Sequence, residues 1–98
     1  MKVNNDCIKA VLNFVIENTE IEDENDSYTI KSTNLYQVIE GLQNDFDKSV
    51  IIHSAIYAVK CGYVDIGFSA RDIENMLYVK FKINDVNPAG YSFLENYK

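Results

Sequence analysis

Three stretches of the chain repeat apolar residues at the three- and four-residue spacing that places them on one face of a helix. The predicted helices cover residues 6–18, a stretch that begins after residue 34, and residues 46–61. The first two apolar stripes are Ile8, Val11, Leu12 and Val15, and then Leu35, Val38, Ile39 and Leu42. Residues that cap free helical amides precede each stretch: Asn4, Asn5 or Asp6, then Ser32, Thr33 or Asn34, then Asp47. Gly62 suits the left-handed end of the third helix.

After Gly62 the apolar period changes from helical to two, which is typical of strands with one buried face. The alternating apolar residues are Val64, Ile66 and Phe68, and then Leu77, Val79, Phe81 and Ile83. The polar residues 69–75 separate the two runs, so the pattern predicts an antiparallel hairpin with a polar tip. Residues 28–31 predict a brief strand, and Asn87-Pro88 opens a last short helix because proline suits the first helical position.

The order of these elements predicts a fold. Helix, short strand, two helices and a two-stranded hairpin is the order of a winged helix, in which the hairpin is the wing and the short strand joins its sheet. We therefore predict an α+β winged helix–turn–helix: a three-helix core, a short strand plus a two-stranded wing hairpin, and a C-terminal helix. The chain has 98 residues, so we expect a single domain over residues 1–98.

Three segments of the chain resemble a known family. They are NNDCIKAVLNFVIEN at the start, FDKSVIIHSAIYAVKCGYV at residues 46–64 and INDVNPAGYSFLE at residues 83–95. They resemble a YjcQ-like family of small bacterial and prophage proteins, whose ending is Asp-aliphatic-Thr-Pro-Lys-Gly-His-Glu-Phe-Leu. The matching residues of the ending are Asp85, Pro88, Gly90, Phe93 and Leu94, while Asn87 and Tyr91 replace the usual Thr and His. His53 resembles the family's third-helix histidine. The resemblance implies a winged-helix fold, a largely unknown function and no catalytic residue.

The negative charge of the chain is concentrated in one segment. Fifteen acids against nine bases give a net charge of −6. Six of the acids lie within ten residues that contain no base: Glu17, Glu20, Glu22, Asp23, Glu24 and Asp26. The nine acids elsewhere are matched by the nine bases. Our first hypothesis for the acidic segment is a solvated loop that continues from the first helix. The alternative is a docking surface for a basic partner, or a mimic of phosphates.

The third predicted helix is the candidate for function because its apolar residues lie on nearly all sides. At about 100° per residue, its inward set is Ile51, Ile52, Ala55, Ala58 and Val59. Its outward set is Ser49, Val50, His53, Tyr57 and Lys60, with Ile56 at the margin. Helices of this kind are usually covered on more than one side. The cover is a second copy or a partner protein, or else the domain itself, through the last helix with Tyr91 and Tyr97.

DNA binding is the alternative function. A recognition helix enters the major groove and supplies hydrogen-bonding or cationic side chains, but this helix contains no Arg, Asn or Gln for bidentate base contacts. In the predicted wing, Asp72 and Glu74 flank Arg71, so few phosphate contacts are expected. The candidate DNA-binding residues are Ser49, His53, Tyr57, Lys60, Arg71, Lys80 and Lys82. The candidate dimer-interface residues are Val50, Ile56, Tyr57, Tyr91 and Tyr97.

The residue types that catalysis and metal binding need are scarce in this chain. His53 is the single histidine, and Cys61 lies eight residues after it, about 12 Å along a helix and beyond hydrogen-bond reach. Cys7 lies on the apolar stripe of the first helix, where a buried thiol is inert. One histidine and two separated cysteines predict no zinc site, and no glycine-rich phosphate loop is present. We therefore expect no enzyme, cofactor, metal or small-molecule substrate.

The remaining expectations concern location and role. No apolar run approaches the roughly 18 residues of a membrane-spanning helix, and the N-terminus lacks a signal pattern. With two cysteines and no disulfide framework, the composition suits the cytoplasm. The sequence thus predicts a cytoplasmic, non-enzymatic regulatory or interaction protein that forms a homodimer or binds a protein partner, with DNA as the alternative partner and no membrane association.

Overall fold

The computed structural model describes residues 3–24, 27–31, 33–66 and 82–97, and for 20–24, 27–31 and 82 it describes the backbone alone. In these ranges the helices are α1 (Asn5–Asn18), α2 (Leu35–Leu42), α3 (Lys48–Lys60) and α4 (Pro88–Asn96). The strands are β1 (Glu20–Glu24), β2 (Ser27–Lys31), β3 (Thr33–Asn34), β4 (Val64–Ile66) and β5 (Lys82–Val86). The chain is therefore α+β, as the sequence predicts, and all four predicted helices are confirmed.

Local side-chain chemistry begins the first two helices at the predicted caps. The Cys7 amide donates to Asn4 Oδ1 at 2.9 Å, at the start of α1. At the start of α2, the Gln37 amide donates to Asn34 Oδ1 at 3.0 Å, and the Asn34 amide donates to Gln37 Oε1 at 3.1 Å. This reciprocal pair is a capping box, which satisfies two amides that would otherwise lack a helical acceptor.

The end of α3 is set by Gly62, as the sequence predicts. Its φ of +73° lies in the left-handed region that favours glycine. The Tyr63 amide donates to the Ala58 carbonyl at 2.9 Å, and the Gly62 amide donates to the Val59 carbonyl at 3.0 Å. These two bonds form a Schellman motif, which satisfies the last carbonyls of the helix and turns the chain into β4.

The core lies between α1, α2, α3 and the sheet. Helix α1 packs against α2, α3 and β5, and α2 also packs against α3. Every residue of the two predicted apolar stripes is buried, together with Ala55, Ala58 and Val59 from α3 and Val64, Ile83 and Val86 from the sheet. The local periodicity of the sequence therefore identifies the core correctly for α1 and α2.

The predicted pairing across the polar tip is confirmed in the described residues, with one difference. Strand β4 pairs antiparallel with β5, so that Val64 lies opposite Val86 and Ile66 opposite Ile83. The register shifts between these pairs, which leaves Asn84 as the extra residue of a bulge. The bulge lets Ile83 and Val86 both be buried although they are three residues apart. The alternating pattern therefore ends at Ile83, whereas the strand continues to Val86. The rest of the predicted hairpin, residues 67–81, lies outside the described residues.

The first hypothesis for the acidic segment, a loop, is wrong for residues 20–24. Residues 20–24 form strand β1, which pairs antiparallel with β2, with Glu20 opposite Lys31 and Ile21 opposite Ile30. We call these two strands the acidic ribbon. The predicted strand at 28–31 is confirmed within β2, but among the described strands it pairs with β1 and not with the hairpin strands β4 and β5. Strand β3, which the sequence assigns only to capping, pairs with β5 instead and gives a three-stranded sheet in the order β3-β5-β4. In this register a glutamate lies opposite a lysine and an isoleucine lies opposite an isoleucine, and both kinds of pair favour antiparallel pairing. A count of the charges alone does not reveal this.

Candidate functional site: the outer face of helix α3

Helix α3 places most of the predicted site residues on one side. We define its outer stripe as Ser49, His53, Ile56, Tyr57 and Lys60, which lie within about 100° of one another around the helix axis. Ser49 and Lys60 are exposed, whereas the other three are half-buried. Four of the seven candidate DNA-binding residues and two of the five candidate interface residues therefore share this stripe.

The covering of α3 is unusual for a helix at a domain surface. Every residue from 50 to 59 is buried or half-buried, and only the two ends of the helix are exposed. The half-buried Val50, Ile52, Ile56 and Tyr57 pack against the core cluster. The outer stripe is therefore an apolar and aromatic surface with partial access to solvent, between an exposed serine and an exposed lysine.

The inward face of α3 differs from the prediction at two positions. Ser54 is fully buried, while Ile52, which the sequence places inward, is half-buried. The Ser54 hydroxyl forms no hydrogen bond with any described residue. It lies near the Cys7 thiol, whose pKa is raised by burial. The buried face of α3 includes Ser54, because a small side chain at this position lets α3 approach α1 closely. Hydrophobicity alone does not predict a buried serine.

The charges that helix α3 carries have one sign. Between Asp47 and Asp65 the chain carries two lysines, Lys48 and Lys60, and the histidine His53, but no acid. In a chain of net charge −6 this is the longest acid-free stretch that a described helix occupies. Of the two lysines, Lys60 lies on the outer stripe and Lys48 lies beside it, so the stripe itself carries a single lysine.

Two tyrosines and a cysteine form a cluster at the C-terminal end of the stripe, which the sequence analysis missed. Cys61 is exposed and is a free thiol. A side-chain hydrogen bond with Cys61 raises the pKa of Tyr57. Burial and, after it, the neighbouring Cys61 raise the pKa of Tyr63. The four-residue spacing of Tyr57 and Cys61 across the helix end is the signal that could have revealed their contact. Because the ordinary pKa of tyrosine is near 10, both phenols are neutral hydrogen-bonding groups at neutral pH with or without these shifts.

The two tyrosines predicted for the interface from the last helix lie on different sides of it. Tyr91 is 47% exposed. Tyr97 instead donates a hydrogen bond to Asp6 of α1, and the Lys9 ammonium lies 5.9 Å from the centre of its ring. One of our hypotheses was that helix α4 covers α3. In the structure, the main contacts of α4 are with α1 and β5 instead. Tyr91 stays a candidate for an interface that the structure does not test.

The structure does not test the other three predicted DNA-binding residues. Arg71 and Lys80 lie outside the described residues. Lys82 begins β5, where its backbone lies opposite Asn34 of β3, and its side chain is not described. Of the predicted DNA-binding surface, which combines a helix and the wing, the structure therefore describes only the helix side chains.

A shallow depression lies on α4. It has a volume of about 640 Å³ and is lined by Pro88, Tyr91, Ser92, Leu94 and Glu95, all from one helix. The described residues contain no group of three or more His, Cys, Asp or Glu side chains that could hold a metal ion. None of the helices in the described ranges has both the length and the apolar character needed to cross a membrane.

Comparison with known proteins adds no assignment. No protein-family model, no curated protein and no solved structure matches this chain significantly.

Proposed function

We propose that the chain is a winged helix in which α2 and α3 form the helix–turn–helix and β4 and β5 form the base of the wing. The sheet order β3-β5-β4 supports this assignment, because the strand between the first two helices lies beside the final strand of the hairpin. In this arrangement α3 occupies the position of the recognition helix, and its outer stripe is the surface that faces a partner.

We propose, on that basis, that the protein is a non-enzymatic regulatory or interaction module that forms a homodimer through the outer stripe. The observation that carries the proposal is the composition of the stripe. Half-buried Ile56 and Tyr57 occupy the middle of the helix, and α3 contains no Arg, Asn or Gln for bidentate contacts with base edges. Aromatic and aliphatic residues with few charges are typical of the centre of a protein interface.

The position of α3 and its lack of acids also support a second candidate function, which is DNA binding. Ser49 and Lys60 would contact phosphates, and His53 would contact a base edge. Titration of mixed-sequence duplex DNA at about 50 mM salt separates the two functions, because phosphate contacts are strongest at low salt. Micromolar or tighter binding that weakens steeply with added salt would favour DNA, whereas no binding by a stable dimer would favour the interaction module.

Analytical ultracentrifugation of interface variants tests the homodimer directly. Ile56→Glu and Tyr57→Glu each place a charge in the proposed interface and should give monomers at concentrations where the wild type is dimeric. Tyr36→Glu is the matched control, because Tyr36 is 48% exposed on α2, away from the stripe. If a glutamate variant fails to fold by circular dichroism, the neutral Tyr57→Ser replaces it. A folded Tyr57→Ser variant that dimerises like the wild type would refute the interface.

The family resemblance and the cytoplasmic, bacterial or phage origin are proposals of the same kind. They are supported by the matching ending, in which two residues have clear structural roles. Pro88 is the first residue of α4, and a Cβ on Gly90 would lie 2.4 Å from the Tyr63 carbonyl oxygen. The ending therefore forms a tight contact between α4 and the turn that follows α3.

A further inference from the structure

Helix α4 is the least buried of the four described helices. Gly90 is its single buried residue, and Phe93 and Leu94 are half-buried and pack against the core cluster. The other positions of the helix are exposed. Elements with few buried side chains open locally at a lower free energy than the core does. Among the described helices, α4 is therefore the one that separates most easily from the domain without global unfolding.

The N-terminal end of α4 is fixed to the turn that follows α3. The Asn87 amide donates to the Tyr63 carbonyl at 2.8 Å, and the Asn87 side-chain amide donates to the Gly62 carbonyl at 3.2 Å. Gly90 lies against the same Tyr63 carbonyl, where a Cβ would be 2.4 Å from the oxygen. The first turn of α4 is therefore anchored by close contacts with backbone atoms.

The C-terminal end of α4 is held to α1 by side-chain contacts. The hydroxyl of Tyr97, which follows the helix, donates a hydrogen bond to Asp6, and the Lys9 ammonium lies 5.9 Å from the centre of the Tyr97 ring. The same ring stacks on Phe93, with 5.5 Å between the ring centres. Hydrogen bonds and cation–π contacts at exposed sites each contribute little stability. This end of the helix is therefore held more weakly than the anchored first turn.

Helix α4 contacts an aromatic residue that adjoins the outer stripe of α3. The centres of the Phe93 and Tyr63 rings are 5.2 Å apart, and the rings are tilted by 31°. Tyr63 also neighbours Cys61, which is hydrogen-bonded to Tyr57 of the outer stripe. Release of Phe93 would therefore expose more of the Tyr63 ring and lengthen the aromatic surface at the C-terminal end of the stripe.

We propose that α4 is an opening cover at the end of the outer stripe. Its residues from 92 onward detach and unwind while its first turn stays anchored, because a helix this short is marginal in water without its contacts. The open form associates more tightly with a second copy, since it adds aromatic surface to the interface. This second step rests on the homodimer proposed above.

Native-state hydrogen exchange, measured by NMR, tests the opening. In the wild type, the amides of residues 94–97 should exchange at least about tenfold faster than those of the buried residues of α1 and α3, after correction for intrinsic rates. Tyr97→Phe removes the hydrogen bond to Asp6 and should accelerate exchange at residues 94–97 by about three- to tenfold. Ile39→Val is the matched control, because Ile39 is buried in α2, which has no extensive contact with α4 among the described elements.

The control separates local opening from global unfolding. Ile39→Val should accelerate exchange of the core amides by about two- to tenfold and leave residues 94–97 unchanged. If it accelerates both groups equally, α4 opens only together with the whole domain and the inference fails. The inference also fails if residues 94–97 of the wild type exchange as slowly as the core, or if Tyr97→Phe leaves their exchange unchanged.

Sedimentation equilibrium of the same variants tests the effect on association. When the open form is a minor population, Tyr97→Phe should lower the apparent dissociation constant of the dimer by the factor seen in exchange, about three- to tenfold. Asp6→Ala removes the same hydrogen bond from its other side and should act in the same direction, which excludes a direct effect of the Tyr97 hydroxyl on the interface. Ile39→Val should leave the constant unchanged.

The outcomes separate this inference from the homodimer proposal. If exchange responds as expected but the dissociation constant does not fall, the homodimer stands and α4 does not control it. If the constant rises in Tyr97→Phe and Asp6→Ala, α4 belongs to the interface and is not a cover. If the wild type is a monomer at all concentrations, the homodimer proposal fails, and the control of association by α4 fails with it.

Discussion

Replacing Ser54 by alanine should stabilise the protein. The Ser54 side chain is fully buried, and its hydroxyl has no hydrogen-bond partner among the described residues. Burying a hydroxyl without a partner costs about 1–3 kcal/mol, and alanine is a better helix former than serine by about 0.5 kcal/mol. The void left by one oxygen atom offsets part of this gain, so we expect a net stabilisation of about 1 kcal/mol. In a domain of this size that corresponds to a rise in Tm of about 4–8 °C.

The assay is urea denaturation followed by circular dichroism, together with a thermal melt. Ser92→Ala is the control, because Ser92 is exposed in the interior of α4 and its replacement changes helix propensity without removing a buried polar group. The gain for Ser54→Ala should exceed the gain for Ser92→Ala by at least about 0.5 kcal/mol. A loss of stability on Ser54→Ala would refute the reasoning, because it would mean that the hydroxyl forms a hydrogen bond in solution, for example with the Cys7 thiol.

Three further predictions follow from the packing of α4 and from the two thiols. Gly90→Ala should destabilise by about 1–3 kcal/mol in urea denaturation, because its methyl group would lie 2.4 Å from a backbone carbonyl oxygen; unchanged stability would show that α4 shifts freely. Tyr97→Phe should lower stability at neutral pH but not well above pH 10. The hydrogen bond to Asp6 raises the pKa of Tyr97 above its ordinary value near 10, so its stabilisation is complete below that value and is lost as pH rises through the raised pKa. In the native protein a thiol reagent should modify the exposed Cys61 rapidly and the buried Cys7 only after unfolding, and two fast equivalents would contradict the burial of Cys7.

The helices could be predicted from the sequence because their signals are local. The caps Asn4 and Asn34 lie within three residues of the amides that they bind, and the apolar stripes repeat within a single helix. The stop at Gly62 needs only the positive φ that glycine tolerates. Each of these features lies within one helix or at its ends, so no knowledge of the tertiary fold is required.

The sheet could be predicted only in part because strand pairing is not local. The two-residue strand β3 carries no recognisable pattern and exists because β5 pairs with it. The bulge at Asn84 shifts the face of the strand between Ile83 and Val86, which interrupts an otherwise regular alternation. In the acidic ribbon, the high density of charge suggested a solvated loop, although positions 20 to 24 can still pair with β2.

The candidate site shows the same division between local and tertiary information. The outward positions of α3 follow from helical geometry, so Ser49, His53, Tyr57 and Lys60 could be placed on one stripe from the sequence. The inward position of Ser54 could not, because it depends on how closely α1 approaches. A scale of hydrophobicity prefers Ile52 for the interior, whereas the packing of two helices prefers the smaller side chain.

The position of the charge matters more to the function of this protein than its total. A net charge of −6 argues against DNA binding only if the charge is spread evenly, because affinity for phosphates depends on the potential at the surface that meets them. Here the excess lies between residues 17 and 26, while α3 carries bases and no acid. If a second copy occupies the outer stripe, the dimer hides the surface that a duplex would need. Dimerisation and DNA binding through α3 would then exclude each other, so a competition between duplex and self-association would reveal both activities in one titration.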